Sequence, residues 1–140
     1  MEPALHSIRS LANYLGLDTE ELLLTCYYCA RWLTVLDKVL FAHTDLGLYE
    51  KEGLYYGLCQ PCVRSAAKLE FLMYYKTFTS VSAVELQFGG PFESLRVRCW
   101  GCFRHLNETE KKNTKQRQSD VAIVGDQPRA LCTLCLIGLP

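Results

Sequence analysis

The sequence has no hydrophobic run long enough to span a membrane. No stretch approaches the 18 or so uncharged apolar residues that a membrane helix needs. The first 25 residues include Glu2, Asp18, Glu20 and Glu21, and they lack the unbroken apolar segment of a signal peptide. We therefore expect a soluble, intracellular protein. In such a reducing compartment, its cysteines are poor candidates for disulfides.

Catalytic motifs are also missing. The sequence contains no phosphate-binding loop, nucleophile elbow or dinucleotide fingerprint. Zinc deaminases combine a His-x-Glu motif with Pro-Cys-x-x-Cys, but neither His43 nor His105 precedes such a glutamate. RING-type ubiquitin ligases interleave histidine among their cysteine ligands, and this chain does not. We therefore predict that the protein is not an enzyme.

Net charge is absent too, because 15 basic residues balance 15 acidic ones. Eight thiolates with two bound zinc ions would shift the formal charge from zero to about −4. Such a protein should not attract nucleic acid through its overall field, so any contact would need a local basic patch. A hydrophobic content of 49% argues against disorder, and 140 residues suffice for one ordinary domain or two small ones.

Cysteine is the residue that the chain does have in quantity. All eight cysteines fall into Cys-x-x-Cys pairs: Cys26 with Cys29, Cys59 with Cys62, Cys99 with Cys102, and Cys132 with Cys135. A thioredoxin-type couple needs one such pair in a βαβ pattern, which does not describe four pairs at matched spacing. Two pairs supply the four soft ligands of a tetrahedral structural zinc site. We predict two such sites, each closed to water and therefore not catalytic.

The cysteine pairs belong to an internal repeat. In each half, 29 residues separate one pair from the next, and every cysteine recurs 73 positions later. Other residues repeat at this offset, including Leu33 with Leu106 and Lys38 with Lys111. This regularity predicts two copies of one module joined by the 36 residues between Cys62 and Cys99.

The remaining patterns predict a mixture of helices and strands. Residues 7–15 have the apolar spacing of an amphipathic helix that Gly16 can close. Asp18 and Glu21 form the pattern of a capping box before a second short helix, and Glu50–Gly53 has the composition of a hairpin turn. The segment Val63–Phe78 contains no glycine or proline and is predicted to be one helix.

We therefore predict an α+β protein of two small zinc-stapled modules related by an internal repeat and joined by a connecting helix. The expected divisions are an N-terminal module over residues 1–62, the helix over 63–80, and a C-terminal module over 81–140. Apolar residues surround the helix almost completely, which is typical of burial on more than one side. Either the helix packs fully on both modules, or it leaves a groove for a partner.

The cysteine spacing resembles that of papillomavirus early protein six, a family of viral oncoproteins, over the chain from about Leu11 to Cys135. The resemblance implies two zinc-bound modules that clasp a short acidic LxxLL peptide of a host protein between them. It implies an adaptor that works in the host nucleus and cytoplasm and affects transcription and apoptosis. Some members redirect a host ubiquitin ligase to a tumour suppressor in a ternary complex, and others sequester a Notch coactivator.

The resemblance also implies a set of peptide-binding residues. The apolar trough for the leucines would consist of Tyr28, Leu46, Leu58, Val63, Ala66, Ala67, Leu69 and Met73. Lys51 and Arg98 occupy positions of basic contacts with the acidic flanks. Ordinary core packing is the alternative role for each apolar residue taken singly.

The sequence departs from the family pattern at three places. Met73 stands where many members have arginine, and Gln127 replaces a basic residue, with Arg129 nearby. The chain stops at "LIGLP", without the Ser/Thr-x-Val/Leu ending that PDZ domains bind in some members. We therefore expect no PDZ partner, and an altered electrostatic recognition of the peptide.

A second functional hypothesis rests on a basic run. Lys111, Lys112, Lys115 and Arg117 lie close together in the second module, as in a zinc-finger protein that regulates transcription by binding nucleic acid directly. Aromatic residues, which single-strand binders interleave with basic ones, are missing from this run. A solvated helix face is the alternative.

Overall fold

A computed structural model describes residues 7–138, and their helices and strands divide into two compact units, Met1–Val63 and Arg64–Pro140. The six helices are α1 Ile8–Leu15, α2 Val35–His43, α3 Gln60–Tyr74, α4 Val81–Phe88, α5 Glu108–Gln116 and α6 Thr133–Leu136. The seven strands are β1 Thr25–Cys26, β2 Tyr49–Lys51, β3 Leu54–Gly57, β4 Tyr75–Thr79, β5 Arg98–Cys99, β6 Val121–Val124 and β7 Gln127–Ala130. The mixture confirms the α+β fold class.

The first unit contains α1, α2 and a three-stranded sheet of order β1-β3-β2. Strand β1 pairs in parallel with β3, and β2 pairs antiparallel with β3. The predicted hairpin turn is present at Glu52 and Gly53, whose φ angles of 54° and 80° lie in the left-handed region. Such angles at both central residues give a twist that matches the flanking strands.

Helix α1 follows its sequence pattern closely. The Ser7 hydroxyl accepts the backbone N–H of Ser10 at 3.0 Å, and the left-handed Gly16 (φ 71°) closes the helix. Its apolar face is buried through Ile8, Leu11 and Ala12. The capping box at Asp18 opens only a short 3₁₀ turn, Thr19–Glu21, and not an α-helix.

The second unit contains most of α3, together with α4, α5, α6 and a four-stranded sheet of order β4-β6-β7-β5. Strands β5 and β7 pair in parallel, and β7 pairs antiparallel with β6. Its buried core combines aliphatic residues with cysteines: Val81, Val84, Phe92, Val97, Cys99, Cys102, Leu106, Val121, Ile123, Ala130 and Cys132.

The internal repeat is visible in the backbone. Helices α2 and α5 have bounds that differ by 73 positions, as do β1 and β5, and β3 and β7. The parallel pairs have the same register, because Thr25 faces Tyr56 in the first unit and Arg98 faces Arg129 in the second. The two predicted copies of one module are therefore two copies of one local topology.

The predicted helix over Val63–Phe78 is shorter at its C-terminal end than expected. Helix α3 ends at Tyr74, and Tyr75–Thr79 form strand β4, which pairs antiparallel with β6. This segment is rich in aromatic and β-branched residues, which suit a strand. Helix α4 follows, and the left-handed Gly89 (φ 78°) caps its C-terminal end. No helix among residues 7–138 is long and apolar enough to span a membrane.

Candidate metal centres and peptide-binding surfaces

Each unit brings four cysteine sulfurs together. The two clusters are Cys26, Cys29, Cys59 and Cys62 in the first unit, and Cys99, Cys102, Cys132 and Cys135 in the second. Within each cluster all sulfurs lie within 4.8 Å of one another. The Cys29–Cys59 and Cys102–Cys132 Sγ–Sγ distances are 3.6 and 3.7 Å. Zinc–sulfur bonds of about 2.3 Å in a tetrahedron place sulfurs about 3.8 Å apart, so both clusters fit zinc.

A tight turn positions the first cysteine pair of each cluster. The backbone N–H of Ala30 donates to the Cys26 carbonyl at 2.9 Å, and that of Phe103 donates to the Cys99 carbonyl at 2.9 Å. Ala30 and Phe103 both have a left-handed backbone, with φ of 61° and 66°. A non-glycine residue in this conformation is uncommon, and here it folds the chain back so that both thiols face one point.

The second pair of each cluster lies where a helix begins. Cys59 directly precedes α3 and Cys62 lies in its first turn, while Cys132 precedes α6 and Cys135 lies within it. The first residues of a helix have backbone N–H groups without intrahelical partners, and these groups favour nearby negative charge. The location therefore suits thiolates, which are the form of cysteine that binds zinc.

The thiol pKa values reflect this crowding. Burial raises the pKa of Cys26, but backbone N–H groups of Cys29, Cys59 and Tyr28 lower it by more, to about 6. Hydrogen bonding to Cys102 lowers the pKa of Cys99 to about 7. Burial and the neighbouring sulfurs instead raise the pKa of Cys62. Four sulfurs this close cannot all ionise together unless a cation offsets their charge.

A buried carboxylate joins the two halves of each module. In the first unit, Asp37 accepts the backbone N–H of Thr34 through Oδ2 at 3.0 Å and that of Gln60 through Oδ1 at 2.9 Å. Thr34 begins α2, whereas Gln60 directly follows the ligand Cys59. The carboxylate thus fixes the second cysteine pair to the helix that follows the first pair.

Glu110 repeats this arrangement in the second unit. Its Oε1 accepts the backbone N–H of Asn107 at 3.0 Å, and its Oε2 accepts that of Thr133 at 2.6 Å. Although burial alone would raise the pKa of Glu110, the hydrogen bonds from Thr133 and Asn107 lower it below its ordinary value. The carboxylate is therefore ionised at neutral pH.

An arginine accompanies each carboxylate. The Arg104 Nη2 atom lies 2.6 Å from Oε2 of Glu110, and the Arg31 Nη2 atom lies 3.4 Å from Oδ2 of Asp37. The negative charge of Cys59, followed by that of Asp37, raises the pKa of Arg31. Burial lowers the pKa of Arg104, but hydrogen bonding to Cys132 and Glu110 raises it by more. Each arginine therefore also faces a cysteine cluster, where it would offset part of the excess negative charge of a bound zinc ion with four thiolates.

The two clusters differ in exposure. In the first, Cys29 is exposed and Cys62 is partly buried, whereas in the second only Cys135 is more than slightly exposed. Arg31 has a side-chain exposure of 52%, against 18% for Arg104. The first cluster is therefore the one that solutes reach more easily.

The first unit also contains an apolar pocket of about 350 Å³. Its lining has no charged side chain and consists of Tyr27, Tyr28, Phe41, Leu46, Gly47, Tyr49, Tyr56, Gly57 and Leu58. The Tyr27 ring packs against those of Tyr49, at 4.2 Å between centroids, and Tyr56, at 5.9 Å. Three of the sequence-predicted peptide contacts, Tyr28, Leu46 and Leu58, meet here.

The other predicted trough residues lie on α3 and do not line this pocket. Val63 and Ala67 are fully buried, in keeping with the core-packing alternative, and Ala66 is partly buried. Leu69 and Met73 are exposed, by 58% and 61%. Lys51 is exposed at the end of β2.

The second unit contains a basic pocket of about 260 Å³. It is lined by Arg96, Arg98, His105, Gln127, Pro128 and Arg129. Arg129 is 8% exposed, and its Nη2 atom lies 3.0 Å from Oε1 of Glu70. Its Nη1 atom is buried without a hydrogen-bond partner in the described part of the chain. The predicted contact Arg98 thus lies in a pocket suited to an anionic group.

The three lysines of the basic run on α5 form hydrogen bonds or ion pairs within the second unit. Lys111 donates to the Leu95 carbonyl at 2.9 Å, and Lys112 pairs with Glu108 at 3.1 Å. Lys115 pairs with Glu85 at 3.1 Å and with Glu93 at 3.5 Å. These contacts reduce the positive charge that a phosphate backbone would meet, so the structure adds no support for nucleic-acid binding.

Sequence reasoning did not identify several of these residues. Tyr27, Tyr49 and Tyr56 form much of the pocket wall. The tyrosine pairs in "CYYC" and "LYYG" were the available signal for Tyr27 and Tyr56, whereas Tyr49 lies outside both. Asp37 and Glu110 were missed as well. Each is the third residue after a helix-capping Thr34 or Asn107, at equivalent positions of the repeat, and this pattern would have identified them.

Comparison with known proteins agrees with this geometry. The family model described as Early Protein (E6) matches residues 26–135, the range from the first cysteine ligand to the last. The chain is 31% identical to Protein E6 of human papillomavirus type 1 over 135 residues, which cover 96% of each protein. It is 31% identical to Protein E6 of human papillomavirus type 41, covering 96% of this chain and 86% of that protein. It is 29% identical to Protein E6 of the Mastomys natalensis papillomavirus, covering 92% and 96%. A family match spanning both cysteine clusters, with relatives that align over almost the whole chain, shows that this protein belongs to the papillomavirus early protein six (E6) family.

Proposed function

We propose that this protein is a non-enzymatic viral adaptor that binds acidic LxxLL peptides of host proteins. The observation that carries the proposal is the uncharged, tyrosine-rich pocket of the first unit, which contains Tyr28, Leu46 and Leu58. Peptide helices that dock through leucines require an apolar surface of this kind, with anchors spaced along one helix face. The pocket volume of about 350 Å³ lies within the range of small ligand sites.

The basic pocket of the second unit, taken by itself, would suit acidic residues of such a peptide. Buried guanidinium groups normally have all their donors satisfied, so the unpartnered Nη1 atom of Arg129 favours an incoming acceptor. A carboxylate accepts such charge-assisted hydrogen bonds at short distance. Arg98 at the same pocket would add a second positive charge. Gln127, which replaces a basic family residue, contributes no charge to this contact.

The zinc ions would act as structural staples in this function. Four protein ligands leave no coordination position for water or substrate, so the metal's contribution is to hold the cysteine loops in place. The tyrosine pocket borders the first cluster, since Leu58 precedes the ligand Cys59. Correct metal loading is therefore required for the pocket to have its shape.

The biological outcome depends on the partner. A ubiquitin ligase captured through its LxxLL peptide would be redirected to a tumour suppressor in a ternary complex. A Notch coactivator captured in the same way would be sequestered, which blocks transcription without a third protein. Both routes place the adaptor in the host nucleus and cytoplasm, and both would affect host-cell survival.

The proposal is tested by measuring calorimetrically how the zinc-loaded protein binds LxxLL peptides from the ligase and from the coactivator. Leu46→Glu places a charge in the pocket and should reduce affinity by at least about 100-fold, since burying an unpaired charge is costly. Leu23→Glu is the matched control, because Leu23 is 82% exposed in the same unit and outside the pocket. Unchanged binding by Leu46→Glu would overturn the proposal, provided that both variants retain two zinc ions.

The basic pocket is tested separately. Arg129→Gln should weaken a peptide with acidic flanks by about tenfold, while leaving a peptide with neutral flanks unchanged, because only the acidic form loses a charged contact. Lys112→Gln is the control, since Lys112 is an exposed cation of the same unit outside this pocket. Equal losses for both peptides would contradict the assigned role of Arg129.

A further inference from the structure

The second unit contains a pocket at the repeat equivalents of the tyrosine-rich pocket. This second pocket, of about 210 Å³, is lined by Phe78, Trp100, Thr114, Arg117, Ser119, Asp120, Ala130, Leu131 and Leu136. A shift of 73 positions maps six lining residues of the first pocket onto it: Tyr27 to Trp100, Phe41 to Thr114, Leu46 to Ser119, Gly47 to Asp120, Gly57 to Ala130 and Leu58 to Leu131. Both modules therefore form a pocket at the same place in their common topology.

Part of the lining of the second pocket is apolar and aromatic. The Trp100 ring stacks on Phe71 with centroids 4.6 Å apart, and Phe71 in turn lies 6.2 Å from Phe78. Phe78 and Leu136 lie outside the mapped positions, and they remain 45% and 42% exposed. These side chains form an open wall against which an aliphatic side chain can bury its surface.

The rest of its lining is largely polar, unlike that of the first pocket. Phe41, Leu46 and Gly47 of the first pocket are replaced by Thr114, Ser119 and Asp120. Arg117 adds a positive charge. Arg117 and Asp120 are both exposed, and neither has an ion-pair partner among residues 7–138. One cation and one anion beside an apolar wall are thus available to a ligand.

We propose that this pocket is a second peptide-binding site, which takes one aliphatic side chain lying between an acidic and a basic residue of a partner. The aliphatic side chain packs on Trp100, the acidic residue faces Arg117, and the basic residue faces Asp120. The volume, smaller than that of the first pocket, suits one side chain and not a series of leucines. The assignment of a peptide rests on the proposed function, because the ligand class is carried over from the first pocket.

The charged lining of the second pocket makes the two pockets bind different ligands. An LxxLL helix would bury several leucines beside the charged side chains of Arg117 and Asp120, which would lose water without gaining partners. A segment of mixed charge supplies a partner for each charged group. The protein thus contacts two different segment types, one in each module, and a weak contact at the second pocket adds to the affinity of a partner held at the first.

The test uses the zinc-loaded full chain labelled with ¹⁵N and followed by NMR. The probe is a capped seven-residue peptide whose central leucine lies between a glutamate and a lysine. Binding should shift the Trp100 indole N–H signal and the amide signals of residues 117–120. A matched peptide with glutamine on both sides should bind about fivefold more weakly, since exposed ion pairs contribute little each.

Variants then distinguish the charge contact from non-specific apolar binding. Arg117→Gln should reduce affinity for the mixed-charge peptide by about threefold and leave the glutamine peptide unaffected. Lys112→Gln on α5, which directly precedes Arg117, should change the affinity for neither peptide. No shift at Trp100, or equal affinities for the two peptides, would overturn the second site.

The same spectra also test the proposed function, because binding at the first pocket shifts a different set of signals. An LxxLL peptide should shift Tyr28 and Leu46 signals, and Leu46→Glu should remove this response while the Trp100 response to the mixed-charge peptide persists. If the LxxLL peptide binds nowhere but the Trp100 response is present, the proposed function fails and the second site stands. The reverse pattern overturns the second site alone.

Discussion

Glu110 lies 73 positions after Asp37, and each carboxylate accepts the backbone N–H of the residue that follows the third cysteine of its module. The two contacts, to Gln60 at 2.9 Å and to Thr133 at 2.6 Å, connect segments that are 23 residues apart in both modules. The repeat therefore includes the support of the metal site as well as its ligands. Such support around metal ligands commonly controls their orientation.

Replacing Glu110 with glutamine should destabilise the second unit by about 1–3 kcal/mol. The neutral amide has only one oxygen, so one of the buried N–H groups of Asn107 and Thr133 loses its acceptor. Urea unfolding of the zinc-loaded protein measures the change. Glu108→Gln is the control, because Glu108 is 71% exposed and should contribute less than about 1 kcal/mol. Equal stability of the two variants would contradict the role of Glu110.

Removing zinc should unfold both modules, because zinc binding in small domains contributes on the order of 10–16 kcal/mol. Release to a coloured chelator should occur in two phases, with the first cluster faster since Cys29 is exposed and the second cluster is mostly buried. Cys29→Ser should accelerate the fast phase alone, and Cys135→Ser the slow phase alone. A single phase releasing two equivalents would show that burial does not control the exchange.

Replacing Lys38 with methionine should destabilise the first unit more than Lys111→Met destabilises the second. Lys38 is 4% exposed, and its Nζ donates to the carbonyls of Glu20 at 2.6 Å and Leu22 at 2.8 Å, whereas Lys111 donates to one carbonyl. Two buried carbonyls left without a hydrogen-bond donor should lower the free energy of unfolding by about 2–4 kcal/mol in the first case. One such carbonyl should lower it by about half of that in the second. Thermal unfolding of the zinc-loaded variants measures the difference, and the opposite order would disprove this explanation.

Adjacent glycines at the end of α4 should respond differently to alanine. Gly89 has φ 78°, which disfavours any side chain, so Gly89→Ala should destabilise by about 1 kcal/mol. At Gly90, an added Cβ would meet only the Ser94 Oγ at 3.6 Å, an ordinary contact. Gly90→Ala should therefore stay within about 0.5 kcal/mol of the native protein in the same denaturant titration. Similar losses at both positions would rule out backbone conformation as the cause.

Cysteine spacing predicted the two four-cysteine clusters and the repeated topology, because the ligands of one metal ion must come from segments that meet in the fold. Local signals also located α1 and the Glu52–Gly53 turn, since capping and left-handed residues act within a few positions. Predicting which cysteines cluster and how many modules there are thus required no knowledge of long-range packing.

Long-range contacts were the features that the sequence did not predict. Strand β4 exists because Tyr75–Thr79 pair with β6, more than 40 residues further on, whereas the lack of glycine and proline over Val63–Phe78 gave no local signal for the end of the helix. Similarly, the contact of Asp37 with Gln60 depends on how two loops meet. The pocket of the first unit contains more tyrosines than predicted, because Tyr49 and Tyr56 face each other only once β2 and β3 pair.

The parallel pairing of β1 with β3 should hold the first unit together after proteolytic cleavage of the chain between these strands. The exposed turn at Glu52 and Gly53 lies between the first and the second cysteine pair of the first cluster. A protease that cleaves there would leave one pair of this cluster on each fragment. The zinc ion, the β1–β3 pair and the Asp37–Gln60 contact would still join the pieces. A nicked molecule should therefore migrate as one species under native conditions and come apart on adding a chelator.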